Sequence, residues 1–343
     1  MMQTRRLLPL SSLVALALAP GAAQAHDTAV ATLERPSEVR ELDGTVVFSA
    51  FDRALDAYRL TVHDAQGARA LAVQPSPTPF EADIGTNSKG ERQVIFSLDV
   101  GRQEGGQAGG RDLFVLTLAS GKVRPVRNAN TNRDERAPTI DEGRIAFTRV
   151  YDEAEGTRED KPVVYTKRLV APRERPSTRL PGVPRRRDGR VTTDRSVSEL
   201  ELENGRLGQI VRFTYETAAG FLTNEVRQVE LDDRSSRRVG TLTTGLNGQF
   251  YVGLSFAEGY LAWYETSIAG NDSAGAYRYR PGRGYRYAEG PPHLSGFAWE
   301  GDGAWQVRCR ADGVVVGEDR DAPCTLVHVE GLEWRVIDGD RVR

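Results

Sequence analysis

The sequence predicts an all-β protein, a six-bladed β-propeller with four-stranded antiparallel blades. The first observation is a phrase that occurs six times, in which a Gly-containing turn precedes a short β-run with an aromatic residue. The second is the spacing of these aromatic residues, which lie 48, 51, 66, 50 and 42 positions apart. Repeats of this size are typical of one propeller blade or one solenoid unit. The aromatic residues are Phe48, Phe96, Phe147, Phe213, Trp263 and Trp305.

Each repeat contains a similar order of short elements. In the first, the alternating run 38–42 precedes the turn Asp43-Gly44 and the apolar run 45–50, and the runs 58–63 and 70–73 follow. Period-two alternation between Gly- and Asp-containing turns indicates strands joined by hairpins. We therefore expect four strands per blade.

A sheet this small cannot bury its apolar face alone, so the units are expected to stack around a ring. The absence of helical periodicity between the strands excludes a βαβ architecture. A solenoid or another all-β arrangement stays as the alternative. In the sixth unit, 325–329 and 334–337 are the expected last strands, and 28–33 is expected to complete the final blade from the other terminus.

Residues 1–25 have the features of a signal peptide. Arg5 and Arg6 precede the apolar stretch 7–18, and Ala23-Gln24-Ala25 is a small-x-small cleavage site. The apolar stretch is too short to span a bilayer, so no transmembrane segment is expected. Residues 26–343 are therefore predicted to form one propeller domain that is secreted, periplasmic or associated with the cell envelope. The basic pair leaves both general and twin-arginine export open.

The charge balance of the mature chain argues against a nucleic-acid partner. The sequence has 46 basic residues, two of them Arg5 and Arg6, against 48 acidic residues, so the mature net charge is −4. Nucleic-acid binding is typically associated with a basic surface. We expect a monomer that contacts a protein or an anionic polymer of the cell envelope.

The two cysteines, Cys309 and Cys324, lie at the end of one predicted strand and the start of the next. In an oxidising compartment such a pair is expected to form a disulfide that closes the loop 310–323. Two free thiols or a pair of metal ligands is the alternative interpretation.

The order of elements from residue 111 to residue 124 resembles the TolB-like, WD-type six-bladed β-propeller. The resemblance lies in Arg111-Asp112-Leu113-Phe114-Val115, followed by Gly121-Lys122-Val123-Arg124, and it extends over nearly the whole mature chain. It implies a binding scaffold in the envelope or outside the cell. The Ser-Pro-Asp-Gly turn of the family is replaced here, and we expect no room for the N-terminal domain of TolB. The replacements are Leu42-Asp43-Gly44, Asp141-Glu142-Gly143 and Glu203-Asn204-Gly205.

No local hydrolase or phosphate-binding motif occurs in the chain, which leaves only residues that converge from several blades as catalytic candidates. Carboxylates next to the inner strands are such candidates, because inner strands meet at the propeller axis. A calcium site is the alternative use of these oxygens, but the sequence assigns no metal and no cofactor. The carboxylates are Asp83, Asp99, Asp134, Glu135, Glu199 and Glu265.

The connection between the third and fourth units, about 167–195, is basic and rich in proline. It has ten basic and three acidic residues, and its sharpest cluster is Arg185, Arg186 and Arg187. One interpretation is a loop that contacts an anionic polymer. The alternative is a solvated loop whose arginines pair with neighbouring acids.

The first functional hypothesis is a secreted, non-catalytic propeller that binds a protein or an envelope polymer. The alternative is an extracytoplasmic hydrolase or lyase that acts on a carbohydrate or lactone through carboxylates at the axis. Three or more acids around one axial pocket would favour the enzyme.

Overall fold

The computed structural model describes most of residues 26–343. The described ranges are 26–101, 110–131, 133–151, 161–169, 177–181, 186–187, 189–215, 222–244, 249–267, 274–301, 303–309 and 323–338. The strands of these ranges form six antiparallel sheets arranged as the blades of a propeller, which confirms the predicted fold class.

Each blade is a meander that begins at the centre of the ring. The inner strands are β2 (Val39–Leu42), β6 (Glu81–Thr86), β10 (Asp134–Asp141), β15 (Arg190–Glu203), β19 (Gln249–Ala257) and β23 (Leu294–Glu300). The second strands are β3 (Thr45–Asp52), β7 (Arg92–Asp99), β11 (Arg144–Tyr151), β16 (Arg206–Tyr215), β20 (Tyr260–Ser267) and β24 (Gly303–Cys309). The third strands are β4 (Ala57–Asp64), β8 (Arg111–Thr117), β12 (Lys161–Arg168), β17 (Leu222–Glu230), β21 (Gly275–Arg280) and β25 (Cys324–Glu330). The outer strands are β5 (Gly67–Ala70), β9 (Lys122–Pro125), β13 (Thr178–Arg179), β18 (Ser236–Thr244), β22 (Gly284–Glu289) and, in the sixth blade, β1 (His26–Leu33).

The sixth blade combines the two ends of the chain, as predicted. Strand β1 pairs antiparallel with β25, from His26 opposite Glu330 to Leu33 opposite Cys324. The prediction that 334–337 forms the last strand of this blade is wrong. Strand β26 (Arg335–Ile337) instead pairs with β22 as a fifth strand of the fifth blade, because β1 already occupies the outer edge of the sixth.

The expected loop 167–195 contains strand segments. It includes β13, the two-residue strand β14 (Arg186–Arg187), and the beginning of β15, which is 14 residues long. Strand β14 pairs with the start of β15 and is the fifth strand of the fourth blade.

The core consists of apolar clusters between neighbouring blades. All six aromatic residues that marked the repeat lie on second strands and are at most 6% exposed. One cluster packs Val46 and Phe48 of the first blade against Trp305 and Leu326 of the sixth, so apolar contact continues across the closure of the ring. Burial of these faces, at about 25 cal/mol per Å² of apolar surface, is what holds one blade to the next.

The inner strands run side by side in one direction. Among the second, third and fourth blades, the turn after one inner strand meets the end of the neighbouring inner strand: the Gly143 N–H donates to Thr86 O at 2.7 Å, and the Asn204 N–H donates to Asp141 Oδ2 at 2.7 Å. We call the end with these turns the lower face and the end at which the inner strands begin the upper face.

The predicted disulfide between Cys309 and Cys324 is present. It joins the end of β24 to the start of β25, and the two cysteines are directly opposite each other in the strand pairing. Most of the loop it closes, 310–322, lies outside the described residues. Such a bond is typical of an oxidising compartment outside the cytoplasm.

Candidate functional site

Charged side chains line the axis at alternate positions along three inner strands. Side chains two residues apart in a strand point to the same face, so an inner strand directs every second residue into the central channel. Mutual electrostatic effects connect these groups across the ring. We call them the axial cluster: Glu38 and Arg40 of the first blade, Glu81 and Asp83 of the second, and Glu199 and Glu201 of the fourth.

Arg40 crosses the channel from the first blade to the fourth. Its Nη2 donates to Glu199 Oε2 at 3.1 Å, and its Nη1 donates to Leu254 O at 3.4 Å. The Arg40 Nε lies 3.9 Å from Glu201 Oε2, too far for a hydrogen bond. The side chains of Arg40 and Glu199 are only 7% and 5% exposed. The ion pair therefore occupies the middle of the channel.

A bulge in the fifth blade supplies further donors to Glu199. The N–H groups of Gly253 and Leu254 donate to its two oxygens at 2.9 and 2.8 Å. The pairing of β19 with β20 shifts between Val252 and Ser255, and Gly253 has a φ of 64°. Bulges of this type re-aim backbone groups at functional or packing sites. Glu199 is thus held by three donors.

Asp83 has a comparable position between the second and third blades. Its Oδ2 accepts from Thr139 Oγ1 at 2.8 Å and from the Ile140 N–H at 2.9 Å. Thr139 Oγ1 in turn accepts from the Leu202 N–H of the fourth blade at 3.0 Å. These bonds connect three consecutive inner strands.

Carboxylates outnumber cations in the axial cluster, which raises several pKa values. Burial, and then the negative charge of Asp83, raise the pKa of Glu201 well above its usual value. Burial also raises the pKa of Asp83. The pKa of Glu38 rises to about 7, first because of its recessed position and then because of the charge of Glu199, while Arg40 opposes the shift.

The upper face opens into a cleft of about 300 Å³ between the first and second blades. Two of its lining groups are Glu38 and Glu81, and 41% of the Glu38 side chain is exposed. Glu81 Oε2 accepts from the Ala137 N–H at 2.7 Å, and Glu81 Oε1 accepts from Arg111 Nη1 at 3.4 Å. We call this the upper cleft. It places Glu38, whose pKa is raised, in the same cleft as Glu81, which accepts two hydrogen bonds.

The sequence identified part of this site. Asp83 and Glu199 belong to the axial cluster, as predicted. Glu135 is fully buried, but it bonds to Thr131 and Arg149 instead. The other predicted acids lie outside the cluster: Asp99 and Asp134 at the upper ends of their strands, and Glu265 on a second strand.

The sequence interpretation missed four members of the axial cluster: Glu38, Arg40, Glu81 and Glu201. The signal that could have found them is charge at every second position of a predicted inner strand, because such a strand is buried on both sides. The pattern occurs in Glu38-Val39-Arg40, Glu81-Ala82-Asp83 and Glu199-Leu200-Glu201.

The arginine cluster is described only in part. Arg185 lies outside the described residues, and for Arg186 only the backbone, which belongs to β14, is described. Arg187 Nε donates to Glu225 Oε1 at 2.9 Å, and Glu225 is 1% exposed. This pairing is the kind expected for a loop whose arginines bind neighbouring acids, and the contact with an anionic polymer stays a prediction.

The described residues contain neither a metal-binding cluster nor a membrane-spanning helix. No group of three or more His, Cys, Asp or Glu side chains in them has the arrangement of a metal site. Nor do they contain a helix that is long and apolar enough to span a membrane.

Comparison with known proteins gave structural matches only: no protein-family model and no curated protein matches the chain. The β-propeller domain of the Trilobed protease from Pyrococcus furiosus is 10% identical, with a TM-score of 0.43, over 80% of this chain and 78% of that chain. A puromycin-hydrolyzing peptidase of Mycobacterium tuberculosis is 12% identical, with a TM-score of 0.47, over 89% and 53% of the two chains. A puromycin hydrolase is 15% identical, with a TM-score of 0.42, over 80% and 50%. The chain spans about half the length of the last two proteins.

The axial cluster corrects the first functional hypothesis. The expectation of a non-catalytic scaffold is wrong, because five carboxylates meet at the axis, more than the three that favour an enzyme, and the hydrolase alternative is the better supported one. The sequence analysis placed the hydrolase second because no local motif marks acids that meet only when the ring closes. Membership of the TolB-like or WD-type family stays a prediction. The chain is a six-bladed β-propeller, similar in fold to the propellers of these peptidases.

Proposed function

We propose that the chain is an extracytoplasmic hydrolase that acts on a carbohydrate in the upper cleft. The observation that supports this proposal is that Glu38, with a pKa raised to about 7, lines the same cleft as Glu81. An acid with such a pKa keeps its proton near neutral pH and can transfer it in a reaction. Pairs of carboxyl groups in different environments are typical of glycoside hydrolysis. The segment 1–25 and the disulfide support a location outside the cytoplasm.

In the proposed reaction Glu38 is the general acid and Glu81 is the general base. Glu38 donates its proton to the leaving oxygen as the bond between this oxygen and the sugar carbon breaks. A water molecule adds to the carbon and gives its proton to the carboxylate of Glu81. Arg111 and the Ala137 N–H stabilise the charge on Glu81 before this transfer. One water is consumed, and the proton on Glu81 returns to Glu38 through solvent.

The test is hydrolysis of a panel of oligosaccharides by the mature protein and by Glu38→Gln. Removal of a general acid is expected to lower kcat by about 100-fold or more. Activity of the wild type is also expected to fall as the pH rises through about 7, because Glu38 then loses its proton. Product masses separate hydrolysis, which adds one water, from elimination, which adds none.

A matched control is Glu41→Gln in β2, three positions further along the chain. Glu41 also has a raised pKa, of about 8, but it bonds to the Gly44 N–H at the lower face. It is expected to keep full activity. Equal activity of Glu38→Gln and wild type, or elimination products alone, would contradict the proposal.

A further inference from the structure

A second cleft opens on the far side of Glu81. It has a volume of about 270 Å³ and lies between the third and fourth blades near the upper face. Glu81 lines both this second cleft and the upper cleft. An extended ligand held in the second cleft would therefore reach the carboxylates of the first.

Arg136 and Arg195 line the second cleft, and each lies beside an irregularity in the pairing of its inner strand. The pairing of β10 shifts after Arg136, where Ala137 has a φ of 45°. The pairing of β15 shifts between Thr193 and Ser196, which flank Arg195, and Asp194 has a φ of 47°. Residues other than glycine rarely adopt positive φ, and such backbone is concentrated at ligand-binding sites. Regular strands would direct these side chains differently.

The balance of charge in the second cleft favours an anion. Among the described residues that line it, the only acid is Glu81, whose oxygens already accept from Arg111 and from the Ala137 N–H. Arg136 is bonded to Asp134 at 2.7 Å but keeps 46% of its side chain exposed. Arg195 is 7% exposed, and a guanidinium in such a place forms stronger charge-assisted bonds than one in open water.

A buried hydroxyl in the same cleft lacks a partner. Thr148 Oγ1 has no hydrogen-bond partner among the described residues, although Thr148 is only 1% exposed. Buried polar groups are nearly always satisfied, so an orphan in a cavity wall indicates a ligand or water. Ser196 and Ser198 add hydroxyls, and Val150 and Pro162 add apolar surface. Alternating hydroxyl and apolar contacts suit a sugar ring.

We propose that the second cleft binds a uronic-acid unit of the substrate, with Arg136 and Arg195 on its carboxylate and Thr148 on a hydroxyl. This inference rests on the proposed function and adds the substrate class to it. The planar guanidinium fork matches a carboxylate, which is the anion we assign. An acidic oligosaccharide would extend from this cleft past Glu81 into the upper cleft.

The test is a binding measurement by titration calorimetry with the Glu38→Gln protein, so that no turnover is needed. The probes are a uronic-acid tetrasaccharide, the same tetrasaccharide with its carboxyl groups reduced, and the reduced form carrying sulfate. We expect the acidic form to bind at least about tenfold more tightly than the neutral form, with a difference that shrinks in high salt. Arg195→Gln is expected to remove this preference.

Arg136→Gln is the second variant, since the Arg136 side chain is 46% exposed and we expect its replacement to disturb the fold less than that of Arg195. Arg92→Gln, an exposed arginine bonded to Thr45 at the lower face, is the matched control and is expected to bind like the parent. Equal binding of the acidic and neutral forms, or unchanged binding in both cleft variants, would overturn the proposal. Equal binding of the sulfated form would overturn the carboxylate assignment.

The result also separates the two proposals. Tight binding of the acidic probe without turnover by the wild type would leave the second cleft standing and remove the hydrolase. Hydrolysis of neutral and acidic substrates at equal kcat/KM would support the hydrolase and remove the uronic-acid assignment of the second cleft.

Discussion

Replacement of Arg40 by methionine should be one of the most damaging single changes in the axial channel. Methionine fills a similar volume but removes the cation that faces Glu199 at 3.1 Å. A unit-charge pair at this distance, with an effective dielectric constant near 20, interacts by about 5 kcal/mol. Removal of one partner of a buried pair typically costs about 3–5 kcal/mol, because the other charge stays buried. We expect a loss in this range at pH 8.

The free energy of unfolding that Arg40→Met loses should be larger at high pH than at low pH. Arg40 opposes the rise in pKa of Glu38, Asp83 and Glu201, so without it these pKa values rise further above those of the unfolded chain. A carboxyl group with a raised pKa in the fold contributes stability at low pH that is lost as the pH rises. The Arg40→Met penalty should therefore be smaller at pH 5 than at pH 8.

The assay is urea denaturation followed by tryptophan fluorescence at both pH values, with Arg69→Met as the control. Arg69 bonds to both oxygens of Asp64 at 2.8 Å, a better geometry than that of Arg40, but its side chain is 43% exposed. Exposed pairs contribute about 0–1 kcal/mol. Equal losses for the two variants, or no change with pH for Arg40→Met, would refute this reasoning.

Three further outcomes follow from the structure. Serine at both Cys309 and Cys324 should lower the free energy of unfolding by about 3 kcal/mol, measured by denaturation, since the bond closes a loop with a separation of 15 residues; no change on reduction of the wild type would contradict this. Gly253→Ala should cost about 3 kcal/mol or more, since its φ is 64° and a Cβ would lie 2.5 Å from a backbone oxygen. Gly67→Ala, with positive φ and open space, should cost about 1 kcal/mol, and a similar Tm for the two would contradict the packing argument. Glu41, whose pKa is raised to about 8, contributes stability that is lost as the pH rises from about 4.5 to 8, so Glu41→Gln should flatten the fall in Tm over that range; an unchanged slope would count against the shift.

The blades could be predicted because each one is specified locally. Phe96 illustrates this: a Gly-containing turn, a run of apolar residues and a charged turn lie within one short segment, and the strand they predict is β7. The last strand of the sixth blade could not be assigned in this way. The segments 28–33 and 334–337 were both suitable for the edge, and the choice depended on which of them reaches β25 when the ring closes.

The candidate site was harder to predict because its members are distant in sequence. Arg40 and Glu199 are separated by 159 positions, and no spacing within one repeat connects them. Asp83 and Glu199 were predicted from their position beside inner strands. Glu38 and Glu81 gave only the weaker signal of charge on strands that bury both faces, and this signal does not distinguish a structural ion pair from a group that acts on a ligand.

The sequence by itself determined the number of blades, the aromatic residue at the centre of each and the pairing of Cys309 with Cys324. These features depend on periodicity and on neighbours along the chain. Only the tertiary structure decided that Arg40 crosses the axis to Glu199 and that the surroundings of Glu38 raise its pKa. Closure of the ring brings carboxylates from opposite blades into one poorly hydrated channel, and a pKa depends on the charges and water around a group, not on its neighbours in the chain.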